Sequence, residues 1–298
     1  VAFACNIFAG HVEMTIYTGL IAGFYSAGRL LFLRGALIER ARRAGWLLAL
    51  VALGFGLGAL QFIPLYEVAE SNWRSERNDL SEVLGFAHPP RDVIQFAMPN
   101  FYGSPAQHSY FDIFTLSNQP VTVDMQGDSI THTEWGIKNY VEGALYVGIL
   151  PLVLAVFALI IGTPHPPTPL SAASLMRGEG EKEIGATVAN LHMGMRESTV
   201  IKWIFAALTA ISMTFMFGLP TYALIYVLPG INQLNSPFRW VFGVTVGVAV
   251  LAGFGAHALA NADAKTRQRA RWVGYALIAG GVLIFAGLLA SRLIYPQL

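Results

Sequence analysis

Residues 45–66 read GWLLALVALGFGLGALQFIPLY, a run of 22 residues without one charged side chain. A helix needs about 20 predominantly apolar residues to cross a hydrocarbon core roughly 30 Å thick. Backbone groups cannot go unpaired in lipid, so a run of this kind must be helical. Working outward, five more stretches have the same character: 12–34, 140–162, 201–219, 238–260 and 273–291. The chain is therefore expected to be an all-α polytopic membrane protein with six spanning helices. Gly218 and Pro220 end the shortest span, IKWIFAALTAISMTFMFGL. Small residues recur within the spans (Gly19, Gly23, Ala27; Gly54, Gly56, Gly58; Gly243, Gly247, Gly253, Gly255), several at four-residue spacing, which suits close helix packing.

Composition agrees. Of 298 residues, 54% are hydrophobic and 12% charged, about half the charged share of a soluble protein. The net charge of +1 provides no global field, and nothing in the composition points to nucleic acid. A single cysteine, Cys5, excludes an internal disulfide. The opening VAFACNIFAG reads as the end of a helix whose start lies upstream, so the chain is expected to be a piece of a larger bundle.

The charges in the connections set the expected orientation. Arg40, Arg42 and Arg43 lie in 35–44 with Arg34 at its edge, Arg177, Lys182 and Arg196 in 163–200 with Lys202 just beyond, and Lys265, Arg267, Arg269 and Arg271 in 261–272. Basic connections stay on the cytoplasmic side. The segments 67–139 and 220–237 then face outside. Three regions follow: 1–66 with a helix end and two spans, 67–139 as an extracytoplasmic loop, and 140–298 with four spans and a cytoplasmic linker at 163–200. The linker begins rich in Pro, Ser and Gly and reads as unstructured there.

The outer loop holds ten acidic against four basic residues, with His88, His108 and His132. A short interfacial helix is expected within 69–86, an irregular stretch after it, and a short strand in TLSNQPVTVDM (115–125). No pair of histidines has the spacing of a helix-borne metal site, so no metal ligands are assigned; scattered carboxylates leave a divalent cation open. Walker, G-x-S-x-G, H-E-x-x-H and C-x-x-C motifs are absent, which removes a nucleotide-driven pump and several hydrolase chemistries.

Ionisable residues gather at the outer edges of the spans: His11 and Glu13 in AGHVEMTIY, Glu67 in QFIPLYEVAE, Glu142 in NYVEGALYVG and Arg239 in NSPFRW. Such residues either anchor helices at the interface or line a shared polar cavity.

These clusters carry a resemblance. AGHVEMTIYTGL resembles the G-H-x-[EQ]-x-x-x-Y junction of bacterial YfhO-type membrane proteins, relatives of the GT-C glycosyltransferases. QFIPLYEVAESNWR, NYVEGALYVGILPL and LPGINQLNSPFRWVF resemble three later motifs of that family, in order, across residues 10 to 256; Asn235 departs where a basic residue is expected. The resemblance implies a GT-C-like fold in the bacterial cytoplasmic membrane and transfer of a sugar from a polyprenyl-phosphate donor on the outer face. It implies a catalytic carboxylate in a first outer loop upstream of residue 1, so none is assigned in this chain. It makes Arg239 a phosphate contact, and His11, Glu13, Glu67 and Glu142 residues of the sugar or acceptor pocket or structural hydrogen-bonding groups. The competing expectation is a non-enzymatic membrane protein, either a lipid or polymer transporter or an accessory subunit. The partners expected are the lipid-linked donor and membrane lipids.

Overall fold

A computed structural model describes residues 1–32, 35–70, 79–99, 101, 109–112, 117–120, 141, 143–161, 181–228, 231 and 236–294. The described chain is mostly helical. Its helices are α1 (Ala2–Phe8), α2 (Val12–Phe32), α3 (Leu37–Glu70), α4 (Leu80–Gly85), α5 (Ile149–Ile161), α6 (Glu181–Met216), α7 (Ala223–Tyr226), α8 (Val241–Ala260) and α9 (Ala264–Ile294). A two-stranded hairpin, β1 (Ser109–Asp112) and β2 (Ser117–Pro120), pairs antiparallel with Tyr110 opposite Gln119. β2 falls inside the stretch from which a strand was expected.

Among the described residues, three helices are long and apolar enough to cross a membrane: Leu37–Val68, Glu197–Met216 and Pro237–Ala260. Only 11% of the most apolar window of the first is buried within the protein. Leu48, Leu50, Leu53 and Leu60 are all more than half exposed along it. A contiguous apolar surface of that size is unstable in water and stable against lipid tails. The chain is a helical membrane protein.

Several boundaries differ from those expected, each for a local reason. The described helix of the third stretch, α5, starts at Ile149 and not near 140. Gly148 has φ +93°, a left-handed conformation that stops a helix extending backward, and Pro151 sits in the first turn, where a missing N–H costs nothing. At 13 residues α5 covers about 20 Å, less than a bilayer core. The helix containing the fourth stretch starts at Glu181, so half of the expected 163–200 linker is helical. The basic connection 261–272 is mostly helix as well. α9 begins at Ala264, where Asp263 accepts the Thr266 N–H at 2.8 Å. Within 69–86, α4 occupies Leu80–Gly85, and residues 71–78 lie outside the described residues. The stretch after it holds a 3-10 turn at Pro90–Phe96 that buries Asp92, Gln95 and Phe96.

The chain divides into two compact units. The first comprises Val1–His88 and Trp203–Val244, the second Pro89–Lys202 and Thr245–Leu298. In the first, α1 lies on α3 because two glycines one turn apart make room. A methyl group on Gly54 would come within 2.9 Å of Phe3, and one on Gly58 within 2.7 Å of Ile7. Gly28 likewise admits Ile204. α6 ends at Gly218 (φ +63°), with Gly218 N–H bonded to Phe215 O and Leu219 N–H to Thr214 O, and Pro220 follows. That pair of bonds on a left-handed glycine is the Schellman stop. It turns the chain so that Tyr222 re-enters the unit, fully buried.

In the second unit, Gly255 of α8 abuts the backbone carbonyl of Leu154 in α5. Lys202, expected as a cation flanking a loop, is 3% exposed, and its Nζ donates to Ala158 O at 3.1 Å. Ala158 O is among the last four carbonyls of the described α5, which lack partners within that helix, so the ammonium serves the negative end of its dipole.

Candidate functional site

The first unit gathers a polar cluster where the start of α2 meets the 3-10 turn Pro237–Trp240 that leads into α8. Gly10 (φ +79°) closes α1 and frees the chain to start α2 at Val12. His11 precedes the helix, exposed, and its Nδ1 accepts the Met14 N–H at 3.4 Å. Glu13 stands in the first turn, where a carboxylate is favoured by the helix dipole. Tyr17 follows four residues later on the same face.

These two α2 side chains meet the 3-10 turn. Glu13 Oε2 pairs with Arg239 Nη1, and both side chains are largely buried, at 13% and 17% exposure. Tyr17, 1% exposed, donates its hydroxyl to Ser236 O at 2.8 Å. Ser236 O also accepts the Arg239 N–H at 3.0 Å, so both lone pairs are used and the turn is held to α2. Pro237, at the first position of the turn, has no N–H to satisfy. Arg239 therefore faces Glu13 because its own backbone is pinned by Tyr17.

An aromatic wall backs the pair. Trp240 packs edge-to-face on Tyr17 at 5.2 Å between centroids and on Phe215 at 4.9 Å; Phe215 in turn meets Tyr222 at 6.0 Å. Phe238 packs edge-on against the ring of His88 at 6.2 Å, and the His88 N–H donates to Met216 O. The Arg239 guanidinium carbon lies 5.6 Å from the Phe238 ring centroid.

Several polar atoms buried here have no hydrogen-bond partner among the described residues: Asn6 Oδ1, Glu13 Oε1, Tyr222 Oη and Trp240 Nε1. Burial pushes the Tyr222 phenol up to about 12, so it stays a neutral donor at any physiological pH. Left unpaired, such groups cost about 1–3 kcal/mol each. Tyr222→Phe removes such a group and is therefore expected to raise stability in detergent by about 1 kcal/mol or more. A loss above about 1.5 kcal/mol would mean that the hydroxyl is hydrogen-bonded after all.

Of the five residues singled out in the sequence, Glu13 and Arg239 are brought into contact. His11 neighbours the pair in sequence but is exposed. Glu67 is exposed near the end of α3, and Glu142 lies outside the described residues. Of the loop histidines only His88 is described, and it is buried at 4% exposure. Among the described residues no three His, Cys, Asp or Glu side chains gather as a metal-binding group. Sequence reading missed Tyr17, Ser236, Trp240 and Tyr222. Tyr17 carried a usable signal, since it stands one helical turn from Glu13.

Chemically, the arrangement is a guanidinium fixed in direction by a carboxylate and set beside the Phe238 ring, at the end of an apolar helix. That set suits an anionic head on an apolar body. The chain matches no family model, no curated protein and no solved structure.

Proposed function

We propose that this chain forms part of a GT-C-like glycosyltransferase of the YfhO type. It has six spans in the bacterial cytoplasmic membrane, with 67–139 on the outer face, and uses a sugar carried on a polyprenyl phosphate. The observation that carries the reading is the Glu13–Arg239 pair. It joins two of the segments on which the resemblance rests, 226 residues apart, at the edge of an apolar helix. Arg239 would hold the lipid-linked phosphate through its planar fork, with Glu13 fixing the direction in which the fork points. Tyr17 and Trp240 support the turn from behind. No catalytic carboxylate is assigned among these residues, and Glu13 is a positioning residue.

The test is sugar transfer by the full-length protein supplied with a lipid-linked sugar. Arg239→Lys keeps the charge and loses the fork, and should lower turnover at limiting donor by about tenfold, as for loss of one charge-assisted bond. Undiminished turnover would remove Arg239 from the donor site. Absence of transfer by the wild-type protein with every lipid-linked sugar would favour the non-enzymatic reading, in which the pair is a structural tie.

A further inference from the structure

We propose that the first two turns of α9 form a binding site for anionic phospholipid headgroups, independent of the donor site. Four cations fall within seven residues there: Lys265, Arg267, Arg269 and Arg271. Arg267 is tied by its Nε to Ala262 O at 3.1 Å. The one acid in the sequence of 261–271, Asp263, is engaged by the Thr266 N–H, and the hydroxyl and amide of Thr266 hold its carboxyl below the usual carboxylate range. Lys265, Arg269 and Arg271 are exposed and make no ion pair among the described residues. The segment 261–271 thus carries a net +3, four cations less one acid.

Two features show that this charge awaits an anion. The first is its place: Lys265 and Arg267 stand in the first turn of α9, where cations oppose the helix dipole. The second is the contrast with α3, which also begins with arginines. There Glu39 pairs with Arg42 at 2.8 Å and with Arg43 at 2.9 Å, so two of the three arginines are engaged from within the helix.

The surface below the cations identifies the anion as a lipid. Trp272 and Tyr275 follow at once, both more than 60% exposed and packed edge-to-face at 6.1 Å, as side chains at headgroup depth do. Ile278, Val282, Leu283 and Ile284 continue down the helix, each more than 60% exposed. Buried Ala270 marks the side of the helix turned to the protein, and Arg271, Trp272 and Tyr275 share the opposite, open side. A nucleic acid or an acidic protein would match the cations but leave the apolar surface immediately beneath them in water.

The test is titration of the purified full chain, in a neutral detergent, with dioleoylphosphatidylglycerol and separately with dioleoylphosphatidylcholine, read by native mass spectrometry. Each cation near an anionic headgroup contributes roughly fivefold in affinity. The anionic lipid should therefore bind on the order of a hundredfold tighter than the zwitterionic one. The triple variant Lys265→Gln, Arg269→Gln, Arg271→Gln should abolish that preference, and Arg271→Gln alone should cut it about fivefold. Arg42→Gln with Arg43→Gln should leave it intact. Equal affinity for the two lipids in the wild type, an unchanged preference in the triple variant, or an equal loss in the α3 variant would each overturn the proposal.

Discussion

Arg239→Ala is expected to lower the unfolding free energy of the detergent-solubilised chain by about 3–4 kcal/mol, and Glu13→Gln by a similar amount. The reason is asymmetry. The pair is at most 17% exposed on either side, so removing one partner leaves a largely buried charge without that ion pair. Glu13 suffers more directly, because its Oε1 already lacks a hydrogen-bond partner among the described residues and its Oε2 would lose Arg239. The double variant Glu13→Gln, Arg239→Met should recover most of the loss, since it removes both charges and keeps the bulk of each side chain. The coupling between the two positions should then be at least about 2 kcal/mol, read by thermal unfolding across the four proteins. Additive effects would mean that the two side chains do not meet in the folded protein.

Gly255→Val is expected to be the most damaging single substitution in the second unit, by about 3 kcal/mol. Most packing glycines here face the end of a flexible side chain, which can swing away. Gly255 faces the backbone carbonyl of Leu154 instead, so α8 and α5 must move apart to admit any side chain. Gly255→Ala should already cost about 2 kcal/mol. Gly253→Ala is the matched control: nothing lies within 4 Å of a methyl group there, and the gain in helix propensity is at most about 1 kcal/mol. Equal thermal stabilities for the two alanine variants would contradict the close helix approach.

These two sites show what can be read in the amino acids and what cannot. Gly253 and Gly255 look alike in sequence, both as small residues in an apolar run. Among the described residues only Gly255 touches another helix, because the phase of α8 against α5 depends on both elements at once. The stop after α6 was legible in full, since Gly218 and Pro220 act locally. The start of α5 was not, because the apolar run continues back through Val141, Leu145 and Val147 while the backbone at Gly148 prevents the helix from following it. Lys202 read as a loop-flanking cation because hydropathy counts a charge without its burial, and its carbonyl partner lies 44 residues away. Glu13 and Arg239 were each legible as edge charges. Their pairing was not, since it needs the turn at Ser236 to be pinned by Tyr17, a contact across 219 residues.

The most direct test of the proposed function is a pair of equilibrium affinities, one for a polyprenyl phosphate and one for the matching polyprenol. The two ligands share the tail and differ in the phosphate alone. The phosphate is expected to bind at least about tenfold tighter, as one charge-assisted contact requires, and the difference is expected to disappear in Arg239→Gln. Equal affinities in the wild-type protein, or a preference for the phosphate that survives in Arg239→Gln, would contradict the proposed function.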